Sequence, residues 1–355
     1  MNKITTPTLL IDTNIVAKNI TRMVEKANAS KVIFRPHFKT HQSIQIGNIF
    51  KNFGIHKITV SSVSMAAFFA QHGWHDITIA FPVNILEADV INQLAEKVTL
   101  NLLVESEYVV RRLSKHLKCD VGLFIKIDTG YHRTGLSANS GEIEKIISFI
   151  AGEEHLTFKG FLTHAGHSYH THNKAQMHSI AHSAKTVLNL LKQKYIGHFP
   201  HLLTSYGDTP TCSIMDNCSG FDEIRPGNFV YFDVMQYHLG SCKLDDIAVA
   251  VACPVVAVHP QREEVVIYGG AVYLSKENIE ADNGFKLYGY VVNIHDNGWG
   301  EAIPGAYVSA LSQEHGIVKM PLKYLNNIKP GDLLGILPVH SCLAANLLKK
   351  QLLIK

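Results

Sequence analysis

Val32-Ile33-Phe34-Arg35-Pro36-His37-Phe38-Lys39-Thr40-His41 is the stretch from which fold and chemistry are read together. An apolar run of strand-forming residues ends in a dense basic group, and a helix-like segment follows at once. Lys39 is its pivot. A lysine at the mouth of a strand, crowded by Arg35 and two histidines, sits in a positive field that disfavours its protonated form. The amine is then a nucleophile, as Schiff-base chemistry requires. The plainer alternative is a basic strand end that solvates its charges or holds phosphate.

Outward from this stretch, strand-like and helix-like segments alternate with short connections. Thr13 or Asn14 caps a helix running to about Ala29, with Ile15, Ile20, Met23 and Val24 on its apolar face. After Val32–Phe34, a helical pattern continues through Phe50. Further strands read at Lys57–Ser61, Ile77–Phe81, Leu100–Val104, Val121–Ile127, Phe158–Thr163, His201–Ser205 and Glu223–Arg225. Helices read at Met65–His72, Leu86–Glu96, Glu107–Leu117 and Lys174–Tyr195. Eight strands with helix-sized connections fit an α/β (β/α)₈ TIM-type barrel better than an open doubly wound sheet. No G-x-G-x-x-G follows the first strand, so a dinucleotide fold loses its usual support.

Beyond about residue 235 the pattern changes. Ala248–Val258, Glu264–Ile267, Lys286–Ile294, Ala306–Leu311 and Asp332–Leu337 are β-rich runs divided by Gly, Pro, Asn and Asp turns. We expect a second, mainly β domain formed by residues 235–355 with 1–12, because Thr8–Asp12 is extended in character. The barrel, residues 13–234, is then an insertion between its two parts.

Composition narrows the function. The 355 residues are 46% hydrophobic and 18% charged, ordinary values for globular cores. The net charge of +3 comes from 33 basic and 30 acidic residues without long like-sign blocks, so no nucleic-acid or membrane footprint is expected and the partner is a small molecule. No signal peptide reads at the N-terminus, and the apolar run Ile247–Val258, interrupted by Pro254, falls short of the ~20 residues that span a bilayer. Cys119, Cys212, Cys218, Cys242, Cys253 and Cys342 form no CxxC pair, which suggests free thiols in a reducing cytoplasm.

In a (β/α)₈ barrel the active site lies at the C-terminal strand ends. Lys39 follows the first strand, Asp128 and Arg133 the fifth, His164, His167 and Tyr169 the sixth, and Ser205–Thr209 the seventh. Arg225-Pro-Gly-Asn228 follows the eighth. Each alone is an ordinary polar strand end. The last two segments bring glycine with hydroxyl or amide donors to the place where barrels commonly hold a phosphate. A phosphorylated ligand facing Lys39 is the implied arrangement.

These motifs are jointly specific. RPHFKTH, KIDTGYHRTG (Lys126 to Gly135), THAGHSY (Thr163 to Tyr169), GDTPT (Gly207 to Thr211), EIRPGNFVYFD (Glu223 to Asp233) and PVHSC (Pro338 to Cys342) run in order over nearly the whole chain. Together they resemble the D-serine dehydratase and D-threonine aldolase family, the fold-type III, alanine-racemase-like enzymes that use pyridoxal phosphate. The resemblance implies a homodimer, with Lys39 matching the cofactor-binding lysine. Arg133 and Tyr169 match positions beside the cofactor ring and His164 a ring-packing residue. Ser205 falls with the cofactor-binding set, and Thr209, Gly227 and Asn228 match the phosphate cradle. Either Arg133 or Arg225 faces the ring nitrogen.

His340 and Cys342 bear on the reaction. An imidazole and a thiolate are both good zinc ligands, and a pair leaves coordination positions open. In the family resembled, this place carries His-x-Cys in zinc-dependent dehydratases and His-x-Asp in aldolases that use harder divalent cations; the soft thiolate favours Zn2+ here. The resemblance thus implies a lyase acting on a small D-amino acid, first as a D-serine dehydratase giving pyruvate and ammonia. The alternative is an aldolase that cleaves D-threonine or another β-hydroxy-D-amino acid to glycine and an aldehyde. Racemisation, or pyridoxal-phosphate binding without catalysis, gives the metal pair no task. His170 and His172 read as solvated loop residues, whereas His167 stays open as support for a site residue.

Overall fold

The structure, a computed structural model, describes residues 4–280, 284–348 and 350–354. The first three residues of the N-terminal run, read above for a signal peptide, lie outside the described residues. The chain forms two compact units, residues 21–227 and residues 1–20 with 228–355. Strand β1 (Thr8–Asp12) and helix α1 (Thr13–Ala29) come first, and the division falls within α1.

The unit of residues 21–227 holds eight parallel strands. They are β2 (Ile33–Phe34), β3 (Lys57–Val60), β4 (Asp76–Pro82), β5 (Thr99–Val104), β6 (Val121–Lys126), β7 (Leu156–Thr163), β8 (Leu203–Tyr206) and β9 (Glu223–Ile224). The helices on their connections are α2 (Ile44–Asn52), α3 (Val63–Gln71), α4 (Ala88–Ala95), α5 (Glu107–Ser114), α6 (Glu142–Ile150), α7 (Lys174–Tyr195) and α8 (Thr209–Ile214). Hydrogen bonding orders the strands β2-β9-β8-β7-β6-β5-β4-β3. The ends of that order meet at a parallel bridge between His37 and Thr59. Phe38 N lies 2.8 Å from Thr59 O, and Thr59 N lies 2.9 Å from Pro36 O. The barrel therefore closes through the RPHFKTH stretch. Pro36 has no N–H to give but still offers its carbonyl to the seam.

Local signals account for most boundaries. Ser43, Ser62, Asn173 and Asp208 each accept a backbone N–H at the start of α2, α3, α7 and α8, relieving donors that a helix leaves unpaired. Leu103, Phe124 and Leu162, from three adjacent strands, form a buried cluster with Leu203 against it. Burial of each such side chain contributes ~1.5–3 kcal/mol. Residues 142–150 carry no expected element, yet Ile143, Ile146, Ile147 and Ile150 are spaced to bury one helical face, and they form α6.

The other unit contains α9 (Val234–His238), β10 (Val249–His259), β11 (Glu264–Tyr268), α10 (Ala271–Leu274), β12 (Ile279–Glu280) and β13 (Lys286–Leu287). It continues with β14 (Gly289–His295), β15 (Gly298–Leu311), β16 (His315–Lys319), α11 (Leu322–Leu325), β17 (Leu333–Pro338), α12 (Ser341–Leu347) and β18 (Gln351–Ile354). Its large sheet runs β11-β16-β15-β14-β17-β10-β1-β18, and an added β10–β11 pairing closes part of it into a ring. β1 pairs antiparallel with β10 and parallel with β18, so Thr8–Asp12 does join the β-rich sheet. Among the described residues, no helix is long and apolar enough to cross a membrane.

Candidate active site

At the barrel seam, the four basic residues of RPHFKTH part company. Arg35 is buried, with Nε 2.6 Å from Glu223 Oε2 and Nη1 2.5 Å from Asp76 Oδ1. Two carboxylates pair with it, so it serves the barrel interior. His41 turns into a cluster of Phe38, Phe50 and Phe69. Its Nδ1 accepts from Ser43 N at 3.1 Å, and burial pulls the imidazole down to about 3. Of the four, Lys39 and His37 remain at the mouth, Lys39 exposed and His37 half-buried. Burial and the charge of Lys39 hold His37 well below the usual imidazole range.

The same field reaches His164 just past β7. Its Nδ1 donates to Gly207 O at 2.6 Å, and burial with the charges of Lys39 and Lys126 holds the ring neutral, leaving Nε2 as an acceptor. Arg225, just past β9, is buried; Nε lies 2.7 Å from Ser205 Oγ and Nη2 2.5 Å from Thr163 O. Ser205 Oγ in turn donates to Glu223 Oε1 at 2.6 Å. The Ser205 hydroxyl therefore holds Arg225 in place. Arg133 is exposed and lies over the Tyr131 ring, 4.9 Å from its centroid. Of the two arginines left open above, Arg225 is the one the barrel buries.

Residues not singled out from the sequence complete this mouth. Lys126, the last residue of β6, is buried, and desolvation together with Arg225 and Arg133 lowers it to about 7. A lysine closing an otherwise apolar strand was its visible signal. The Tyr131 ring packs edge-on to His164 and stacked on His167. Gly166 permits this, because a Cβ there would lie 2.4 Å from the ring. Tyr169 is half-buried on the turn 166–170, while His170 and His172 are exposed.

Gly207, Thr209 and Gly227 come together. Gly227 N donates to Thr209 Oγ1 at 3.3 Å. A Cβ on Gly227 would lie 2.9 Å from both Cβ and O of His37, so only glycine lets this turn approach the segment that carries Lys39. Asp208, buried, accepts from Thr211 N and from the hydroxyls of Thr211 and Ser168, which fixes the turn.

In the β-rich unit, His340 and Cys342 lie at the end of β17 and the start of α12. Burial opposes the charge on His340, but its hydrogen bond to Cys342 and the negative charges of Cys342, Asp233 and Glu277 raise it to about 9. Asn228 belongs to this cluster through its side chain. Its Nδ2 lies 2.6 Å from Asp233 Oδ2, 3.0 Å from Ser341 Oγ and 3.3 Å from Cys342 Sγ. Asp233, pushed up by burial, also accepts from Ser341 N and Gln236 N. Asn228 Oδ1 and the Tyr231 hydroxyl are buried without a hydrogen-bond partner. Among the described residues, no three His, Cys, Asp or Glu side chains gather in a metal-binding group.

Comparison with known proteins agrees with both halves. Residues 11–234 match the family model "Alanine racemase, N-terminal domain", and residues 248–354 match "Putative serine dehydratase domain". D-serine dehydratase of Dictyostelium discoideum is 30% identical, covering 97% of this chain and 92% of its own. D-threo-3-hydroxyaspartate dehydratase of a Delftia strain is 27% identical, covering 95% and 90%. A histidine-to-alanine variant of the latter enzyme superimposes with a TM-score of 0.91 at 25% identity, covering 99% of this chain and 92% of that one. A variant with alanine for a cysteine two positions further on is solved in the metal-free form. The chain thus belongs to the D-serine dehydratase and D-threonine aldolase family of alanine-racemase-like lyases.

Proposed function

We propose that this protein is a D-serine dehydratase that uses pyridoxal phosphate and zinc to convert D-serine to pyruvate and ammonia. The observation that carries the reading is the donor set around Cys342: a thiol and an imidazole beside two buried oxygens, Asn228 Oδ1 and the Tyr231 hydroxyl, that have no protein partner. Such a set suits a soft-to-borderline cation that keeps positions for water or substrate. The dehydratase relatives, one of them studied through a histidine and a cysteine two positions apart, support it.

The barrel fits pyridoxal phosphate. Lys39, Lys126, Arg133 and Arg225 supply positive charge, and Thr209 with the glycine turns at Gly207 and Gly227 supplies neutral donors for a phosphate. When bound, pyridoxal phosphate supplies a sink for negative charge developing at Cα, and zinc a Lewis acid for the departing β-hydroxyl. Lys39 Nζ would hold the cofactor and serve as the base that takes the Cα proton. His164, neutral and fixed through Nδ1 on Gly207 O, would pack the ring without adding charge. Arg225, immobilised by Ser205 and Thr163, would face the ring nitrogen and leave it unprotonated, which limits the charge drawn into the ring. His340 and Cys342 would hold the zinc, with Asn228 and Asp233 fixing the thiolate. The family resemblance extends the reading to a cytoplasmic homodimer.

The test is product analysis of the purified protein with D-serine, D-threonine and D-threo-3-hydroxyaspartate, alongside metal analysis. We expect pyruvate and ammonia from D-serine and bound zinc. Glycine and an aldehyde from D-threonine, without pyruvate from D-serine, would replace this reading with the aldolase one. Rapid turnover of hydroxyaspartate over D-serine would keep the dehydration and change its substrate.

A further inference from the structure

Arg35, Glu223, Ser205 and Arg225 form one hydrogen-bonded chain inside the barrel, each of them 5% exposed or less. Strand register brings them together, because Glu223 on β9 is level with Ile33 of β2 on one side and with Ser205 of β8 on the other. Glu223 Oε2 accepts from Arg35 Nε at 2.6 Å, and Oε1 accepts the Ser205 hydroxyl at 2.6 Å. An ionised carboxylate can only accept, so the single proton of Ser205 is committed to Glu223 and its oxygen is left to accept from Arg225 Nε at 2.7 Å. The other hydrogen bonds of Arg225 go to Thr163 O at 2.5 Å and Ser205 O at 3.5 Å. Among the described residues this guanidinium therefore contacts no carboxylate. Arg35 contacts two, since its Nη1 also lies 2.5 Å from Asp76 Oδ1, and Lys57 Nζ holds the other oxygen of Asp76 at 2.6 Å. A guanidinium and a carboxylate this close inside a barrel would ordinarily join fork to fork. Here one hydroxyl stands between them, and the second carboxylate oxygen is already taken.

We propose that Arg35 and Ser205 are positioning residues that keep Glu223 from pairing with Arg225, so that Arg225 presents an uncompensated positive charge to the group bound at the barrel mouth. Arg35 engages one Glu223 oxygen and Ser205 spaces the other from the guanidinium. An arginine joined to a carboxylate is a poor source of positive field, and a proton on a ring nitrogen facing it would cost little. An arginine left to neutral acceptors opposes that proton, and burial strengthens the effect. Charge alternates along Lys57, Asp76, Arg35 and Glu223, which holds Arg35 where it can occupy Glu223. Arg35 thereby acts on the cofactor's protonation without touching cofactor or substrate. That consequence rests on the proposed pyridoxal phosphate reading; the order of hydrogen bonds inside the barrel does not.

The test loads the full chain, as native protein, R35M and R35M/E223Q, with pyridoxal phosphate carrying nitrogen-15 in its ring, and reads protonation from the chemical shift of that nitrogen. The expected shift is the unprotonated one in the native protein. In R35M, where Glu223 Oε2 is free to turn to Arg225, it should move to the protonated value. In R35M/E223Q, where that carboxylate is gone, it should return. A second arm follows hydrogen exchange at Arg225 Nε in the full chain without pyridoxal phosphate. Exchange should be slow in the native protein and in S205T, and about tenfold faster in S205A, which lacks the accepting hydroxyl. This arm decides the matter if R35M does not fold. An unprotonated nitrogen in folded, loaded R35M, a protonated one in both Arg35 variants, or equally slow exchange in S205A would each overturn the proposal. A native chain that binds no pyridoxal phosphate would overturn the cofactor reading, while fast exchange in S205A restored by S205T would still support the places given to Ser205 and Glu223.

Discussion

The barrel mouth and the Cys342 corner solve opposite electrostatic problems. At the mouth, cations crowd together, and two imidazoles, His37 and His164, are held neutral by burial and by Lys39. At the corner, Asp233, Cys342 and Glu277 gather negative charge, and the imidazole of His340 is raised to about 9. The same residue type thus takes opposite protonation in the two units, and the field of its neighbours decides. The first environment asks for an anion and the second for a cation, which is why the proposal needs two bound groups and not one.

The largest effect is expected at Lys39. Lys39→Ala should lower D-serine turnover by about 10⁴-fold and abolish the visible band of bound pyridoxal phosphate, while metal content stays unchanged. Cys342→Ala should do the reverse. Turnover should fall by about 10³-fold with loss of zinc, the absorbance band remaining, as metal analysis and spectra would show. Persistence of stoichiometric zinc in that variant would remove the corner from the mechanism.

Asn228→Ala sharpens the contrast, because its side chain lies 3.3 Å from Cys342 Sγ and 2.6 Å from Asp233. Zinc affinity, measured by competition with a chelator, should weaken by about 10–100-fold. A smaller effect concerns stability. His41 has a folded value of about 3 against an unfolded value of about 6.5. As pH falls below that unfolded value the unfolded chain takes the proton first, so stability present above it is lost progressively toward pH 3. His41→Gln should flatten that acid limb by up to about 1.4 kcal/mol per pH unit in urea titrations. His37 and His164, also lowered, push in the same direction.

Much of this architecture was legible because it depends on local pattern. Eight apolar runs separated by helix-sized connections anticipate the strands β2 to β9, and the motif order along the chain anticipates the family. Thr8–Asp12 could be assigned to the β-rich sheet because its extended character has no helical alternative. β16 and β18 are not among the expected strands: each is short, and β18 gains its identity only by pairing with β1, more than 300 residues away in sequence.

The site divides in the same way. By itself the sequence determined which strand ends carry Lys39, His164 and Arg225, because a strand's end can be read from where its apolar run stops. It could not separate Arg35, ion-paired inside the barrel, from His37 at the mouth, since alternate residues of one extended stretch face different surroundings. Nor could it place the Asn228 amide 3.3 Å from Cys342 Sγ, or decide that Ser205 holds Arg225. Those assignments depend on partners brought together from distant parts of the chain, and only tertiary structure supplies them.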